Sequence, residues 1–256
     1  MNKDIRILII PDVHGREFWR EPVKEVLEKT NARVVFLGDY LDCYPNEFRH
    51  NENYKEIAIF NFNEIINLKK EFSNRITLLL GNHDLGYRFD LYICDCRTDY
   101  HNYERIRNLF IENKDIFQLA DEEYVAGKHY ILSHAGIHKG YVKYAFPDEF
   151  ESITESNVVD YFNNAYLTEE PNVIRTLGMY DIYRGYGGYD YGSLVWADFN
   201  SWVKENDGYS YNIFGHTQMI HGCGGLIKEN FALLDCAQAF IINELGEIKP
   251  FDEKNE

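Results

Sequence analysis

Ile76-Thr77-Leu78-Leu79-Leu80-Gly81-Asn82-His83-Asp84 is an apolar run that stops in a glycine and three polar side chains. A run of this kind predicts a buried strand, and the glycine lets the chain turn sharply at its end. Alone, Asn-His-Asp would suit any polar turn. Its weight comes from repetition, because four other apolar runs end in similar residues. Residues 6–10 lead to Asp12-Val13-His14-Gly15, and residues 34–37 to Gly38-Asp39-Tyr40-Leu41-Asp42. Residues 130–132 lead to Ser133-His134-Ala135-Gly136, and residues 211–214 to Gly215-His216-Thr217.

The first run is continuous rather than alternating, which favours a strand covered on both faces, as in an α/β sheet. Residues 17–30 and 54–72 carry apolar side chains at helical spacing. The first eighty-odd residues therefore read β-α-β-α-β, with parallel strands and right-handed crossovers. A helix over 103–117, a helix near 155–166 and terminal strands over 231–234 and 239–242, joined through Asp235-Cys236, complete the pattern. Residues 138–200 are the least periodic and read as a lid or insertion within one domain spanning 1–256. There Tyr180, Tyr183, Tyr186 and Tyr189 recur among Gly185, Gly187 and Gly188. The simplest reading is an aromatic-packed loop; the other is a lid that stacks on a nucleobase or phosphotyrosine ring. The end, 252–256, is expected to fray.

With 256 residues and 45% hydrophobic content, the chain can bury a substantial core. No apolar run approaches the ~20 residues of a membrane span, and the N-terminus lacks a signal-peptide profile. Five cysteines, an odd number, suggest free thiols in a reducing, cytoplasmic setting. Cys94-x-Cys96 has no second Cys or His pair at matching spacing, which argues against a zinc knuckle. A net charge of −16 opposes general nucleic-acid binding. It leaves room for a small phosphorylated substrate, since bound metal inverts the local field.

In open α/β sheets ligands bind beyond the carboxyl ends of the strands, so these five ends are expected to converge. Carboxylate, imidazole and amide oxygen together suit Mn²⁺, Fe²⁺ or Zn²⁺ rather than a thiolate site. With one bridging carboxylate there are ligands for two ions, and a pair of ions can clamp a phosphoryl group for in-line displacement.

The five blocks, in this order over residues 12–217, resemble the calcineurin-like metallophosphoesterase signature. Gly38-Asp39-Tyr40-Leu41-Asp42 and Leu194-Val195-Trp196-Ala197-Asp198 are most similar to its phosphoprotein phosphatase branch, which includes serine/threonine phosphatases and dinucleoside tetraphosphatases. The resemblance implies a four-layer α/β/β/α sandwich with a dinuclear site at the strand C-termini. Asp12 and His14 would hold the first metal, Asp39 would bridge, and Asn82, His134 and His216 would hold the second. His83 would protonate the leaving alkoxide, with Asp42 orienting it, while hydroxide formed at the metals attacks in line. The substrate would be a phosphomonoester, such as a phosphoprotein or nucleotide. A dinucleoside polyphosphate hydrolase and a phosphodiesterase are alternatives. A non-catalytic binding protein of this fold is expected to lack the acid or several ligands, whereas this chain keeps them.

The chain also departs from the branch. An arginine usually follows the second Asp of the Gly-Asp-x-x-Asp block and grips phosphate bidentately; here that residue is Cys43. Ala197 and Asp198 stand where another arginine often follows the tryptophan. Arg16, Arg88, Arg175 and Arg184 are the candidate replacements. Gln218 stands where the wider superfamily often has a further histidine, which the phosphatase branch commonly lacks. Asp84 is expected to order its loop. His138 and His221 read as loop histidines, and His50, His101 and His129 as surface residues.

Overall fold

The computed structural model describes residues 4–48, 53–91, 96–185, 188–204 and 207–251. His50, Cys94, Tyr186, Gly187 and the 252–256 end, all singled out above, lie outside these residues. The chain groups into two compact units, Met1–Phe117 with Ala237–Glu256, and Gln118–Cys236.

The first unit runs β1 (Ile5–Ile10), α1 (Arg20–Lys29), β2 (Arg33–Phe36), α2 (Tyr54–Glu71), β3 (Ile76–Leu79), α3 (Asn82–Phe89), α4 (Tyr103–Glu112) and β4 (Phe117–Gln118). The second follows with β5 (Ala120–Val125), β6 (Lys128–Ser133), α5 (Lys139–Ala145), α6 (Val158–Leu167), α7 (Pro171–Leu177), α8 (Phe199–Lys204), β7 (Tyr211–Phe214), β8 (Leu226–Ile227) and β9 (Phe231–Leu233). The chain then returns to the first unit as β10 (Phe240–Asn243) and β11 (Ile248–Pro250).

The first sheet has the order β11-β10-β1-β2-β3-β4. Strands β1, β2 and β3 are mutually parallel, as the βαβ pattern requires, and β10 adds antiparallel to β1. Helix α1 packs on β1 and α2 on β3. Tyr40 stacks on Phe62 with ring centroids 5.0 Å apart, and its hydroxyl donates to the Leu79 carbonyl at 2.8 Å. The loop after β2 is thereby anchored to β3. Arg75 donates to the carbonyls of Val26 and Leu27 in the last turn of α1 and to those of Thr30 and Ala32 just beyond it, tying the helix end to the start of β3.

The second sheet has the order β5-β6-β7-β9-β8. Strands β6, β7 and β9 are parallel, and β5 and β8 close the edges antiparallel. Strand β5, Ala120-Asp121-Glu122-Glu123-Tyr124-Val125, is too acidic to read as a buried strand. Charge of this kind suits an edge, where it discourages pairing with other chains. Helix α6 packs on β5. The fold is thus mixed α/β, with two sheets flanked by helices.

Both terminal strands, β9 and β10, form where expected, and they lie in different sheets. Two expectations change. Helix α4 stops at Glu112, and a single 3₁₀ turn over Lys114–Ile116 leads into β4, so the helical pattern over 103–117 is broken. Asn82-His83-Asp84 is the first turn of α3 rather than a loop. Among the described residues, no helix is long and apolar enough to cross a membrane.

Candidate functional site

In the first unit three loops lock together through backbone bonds. His14 N–H donates to the Asp39 carbonyl at 2.7 Å, and Gly15 N–H to that of Tyr40 at 2.9 Å. Asp84, fully buried, accepts from the N–H groups of Gly81 (2.8 Å), Asp39 (2.7 Å) and Tyr40 (3.1 Å). Burial foremost, and then the nearby Asp39 charge, push the Asp84 pKa well up, against the three N–H donors that favour its anion. A β-carbon on Gly38 would lie 2.4 Å from the Gly81 nitrogen, and one on Gly81 would lie 2.1 Å from Asp39 Oδ1. The loops after β2 and β3 can approach this closely only as glycine.

This framework gathers Asp12, His14, Asp39, Asp42, Asn82 and His83, all buried, at the carboxyl ends of β1, β2 and β3. His14 Nδ1–H donates to the Leu41 carbonyl at 2.9 Å, which leaves Nε2 as its free donor atom, 3.6 Å from Asp39 Oδ2. Burial foremost holds the His14 pKa well below the usual value, so the ring is neutral and ligand-competent. His83 N–H donates to Asp39 Oδ1 at 3.0 Å, and His83 Nε2 lies 4.0 Å from Asp39 Oδ2. One ligand atom each from His14, Asp39 and His83 falls in a cluster compact enough to hold a cation.

His83 Nδ1–H donates to Asp42 Oδ2 at 2.7 Å, and Tyr87 O–H donates to Asp42 Oδ1 at 2.5 Å. His83 and Tyr87 are four apart on α3, so one helix face holds both oxygens of Asp42. Burial opposes a charge on His83, but Asp39 and Asp42 outweigh it and raise its pKa well above the ordinary value. Burial, with Asp42 next, raises that of Tyr87. Asn82 Nδ2 donates to Cys96 Sγ at 3.7 Å.

In the second unit β6 and β7 are parallel neighbours, and the residues after them meet. Gly215 N–H donates to the His134 carbonyl at 2.9 Å. His134 Nε2 lies 3.2 Å from His216 Nδ1, a separation at which two neutral imidazoles can turn both lone pairs to one ion. The Trp196 ring stands edge-on to His216, with centroids 5.4 Å apart.

Four of these residues have left-handed backbone: His14 (φ 45°), Asp39 (51°), Asp42 (56°) and His216 (66°). Each costs on the order of 1 kcal/mol for a side chain other than glycine. Such strain persists where the surroundings over-determine it, as at functional sites.

The candidate arginines differ. Arg16 is tied to Glu47 at 2.7 and 3.0 Å and donates to the Asp12 carbonyl at 3.2 Å. Arg88 is buried with its guanidinium 4.4 Å from the Phe89 ring. Arg184 pairs with Asp198 at 2.7 Å and with the Thr217 hydroxyl beside His216. Arg175 is exposed and bonded to Asn172 at 2.6 Å. Arg97 and Tyr87, which the sequence reading passed over, both reach Asp42. Tyr87 could have been found from its spacing to His83 had α3 been read as a helix.

Outside this set, His138 is fully buried against Trp202, with ring centroids 3.9 Å apart, and is no simple loop residue. His129 is not on the surface either: it bonds Glu122 and Ser210, each at 2.8 Å, and stacks on Tyr124. His101 and His221 are exposed. On either side of the tyrosine and glycine stretch, Asp181 and Tyr189 form an isolated parallel bridge, with Ile182 N–H donating to the Tyr189 carbonyl at 2.8 Å and Tyr189 N–H to that of Tyr180 at 2.9 Å.

No curated protein matches the sequence. Among solved structures, the fold is similar to that of a protein serine/threonine phosphatase from Saccharomyces cerevisiae with similarity to human phosphatase PP5. Identity is 15% and the TM-score 0.51, over 99% of this chain and 81% of that one. A hypothetical protein from Pyrococcus horikoshii aligns over 51% of this chain and 54% of its own at 13% identity, with a TM-score of 0.36. The family model for calcineurin-like phosphoesterases runs over residues 5–219, from β1 past His216, and the chain belongs to that family of metal-dependent hydrolases.

Proposed function

We propose that the protein is a cytoplasmic phosphomonoesterase with a dinuclear metal centre, of the protein serine/threonine phosphatase type. Asp12 and His14 would hold the first ion, Asp39 would be shared by both, and Asn82, His134 and His216 would hold the second; manganese, iron or zinc suits this donor set. The donor set fits a cation, since His14 keeps Nε2 free beside Asp39 and the His134 and His216 nitrogens are 3.2 Å apart. When bound, the ions supply positive charge and an activated water for attack on phosphorus. The free thiols of Cys43, Cys96, Cys223 and Cys236 support a reducing compartment.

The observation that carries the reading is the Asp42–His83 bond of 2.7 Å next to the Asp39 carboxylate. Asp42 fixes the proton on Nδ1 and stabilises the imidazolium, so Nε2 carries the proton to be delivered. That proton passes to the alkoxide oxygen as its bond to phosphorus breaks. Tyr87 holds the other oxygen of Asp42 and keeps the carboxylate from rotating. Residues 138–200, including the Asp181–Tyr189 bridge, are proposed as the insertion that selects substrates.

The test is a panel of phosphopeptides, nucleotides, dinucleoside tetraphosphates and phosphodiesters with Mn²⁺-loaded protein. Phosphomonoesters should turn over fastest, and Asp39→Asn should abolish turnover. Preference for tetraphosphates or diesters would move the assignment to those activities. Failure on every substrate, unchanged by Asp39→Asn, would remove the enzyme reading.

A further inference from the structure

We infer that Arg97 is the phosphate-gripping residue of this site, standing in from a distant segment for the arginine that Cys43 replaces; this rests on the phosphoesterase reading. Arg97 lies beyond α3, outside every motif block and far in sequence from Cys43. Its Nε–H donates to the backbone carbonyl of Asp42 at 3.0 Å. Its guanidinium carbon stands 3.5 Å from the centre of the Tyr44 ring, which fixes the plane of the fork. Its Nη2 comes within 3.5 Å of His14 Nδ1. That nitrogen carries a hydrogen already donated to Leu41, so two donors face each other and neither satisfies the other. Nη1 has no partner among the described residues. Arg97 is only half buried. The result is a held, oriented guanidinium beside His14 and Asp42, whose Nη donors meet no acceptor among the described residues.

Arg16 makes the contrast. It also approaches Tyr44, at 5.2 Å, but Glu47 takes it bidentately. Its charge is balanced and its fork occupied, whereas among the described residues no carboxylate pairs with Arg97. Asp12, Asp39, Asp42 and Asp84 are all buried here, so an incoming phosphoryl dianion meets carboxylates as well as cations. A guanidinium able to offer two parallel N–H bonds is the chemistry such a group requires. Space explains the exchange of position. Cys43 and Arg97 line one cavity of about 290 Å³. With a small thiol at 43, the neighbouring volume admits a side chain arriving from the other wall.

The test uses the full chain loaded with Mn²⁺ and inorganic phosphate as probe, both as competitive inhibitor and as calorimetric ligand. Arg97→Ala should weaken phosphate binding and raise KM by roughly 10- to 100-fold. Mn²⁺ affinity and thermal midpoint should stay near wild type. Arg97→Lys, which keeps charge but not the fork, should fall between the two. Arg105→Ala, which removes an exposed cation paired with Glu56, should change nothing and controls for net charge. Unchanged phosphate binding in Arg97→Ala overturns the inference, as does a loss that tracks an equal loss of Mn²⁺ affinity, since that marks a support for Asp42 and His14. If wild type hydrolyses no phosphoester and binds no phosphate, the parent reading fails and this one with it.

Discussion

At the scale of single residues, the site is a set of donors and acceptors whose partners fix what each can do. Asp42 has one oxygen on His83 and one on Tyr87. His83→Ala should lower kcat by roughly 10²- to 10⁴-fold for poor leaving groups and far less for good ones. Steady-state rates across aryl and alkyl phosphates would show it, and equal losses for both would refute the acid role. Tyr87→Phe should give a small loss of the same pattern and cost about 1 kcal/mol of stability in chemical denaturation. A pH effect also follows for the metal-free protein. Folding raises the His83 pKa because Asp39 and Asp42 overcome burial. The stabilisation is complete below about pH 6.5, the unfolded value, and fades as pH rises through the folded value. In chelator, the gap in thermal midpoint between wild type and His83→Asn should therefore narrow from pH 6 to pH 9; a constant gap would contradict it. His83 and Asp42 were legible as residue types in ordered blocks. Arg97 was not, because no spacing connects it to Asp42; only the folded backbone brings its Nε to that carbonyl.

At the scale of elements, α3 shows where reading a sequence reaches its limit. Asn-His-Asp suits a turn and a helix start equally, since the same side chains cap both. Asp84 decides it, reaching back to the Gly81 N–H and onward to Asp39 and Tyr40. Three buried N–H groups depend on one carboxylate, so Asp84→Ala should cost more than about 3 kcal/mol, several times a single surface bond. Urea unfolding measures this, and a cost below 1 kcal/mol would show that the loops hold without it. Gly81→Ala should act more locally. Its methyl group would press on Asp39 Oδ1, and Mn²⁺ affinity by calorimetry should fall by at least tenfold while the fold persists. Strands β1, β2, β3, β6 and β7 were legible because their apolar runs are buried on both faces. Strand β5 was not, because an edge strand tolerates acidic residues that hide its period.

At the scale of the whole molecule, composition excluded a good deal and topology added what it could not show. With a net charge of −16, the protein should pass a DNA column at 0.15 M salt without retention, and binding there would overturn the exclusion. Chelation should lower the thermal midpoint and added Mn²⁺ restore it, each occupied site adding about 2.7 kcal/mol of stability at a hundredfold excess over Kd. What no periodicity revealed is that β9 and β10, seven residues from one end to the next start, belong to different sheets. The first sheet borrows β10 and β11 from beyond the second unit, and β10 is the antiparallel neighbour of β1. That has a consequence for biogenesis. As the chain leaves the ribosome, Gln118–Cys236 can complete its own sheet while β1 still waits for its partner, so the earliest-made unit is the last to finish. A nascent chain ending at Cys236 should show a protease-resistant second unit and a labile first one, and the N-terminal strands are where a chaperone would bind in the interval.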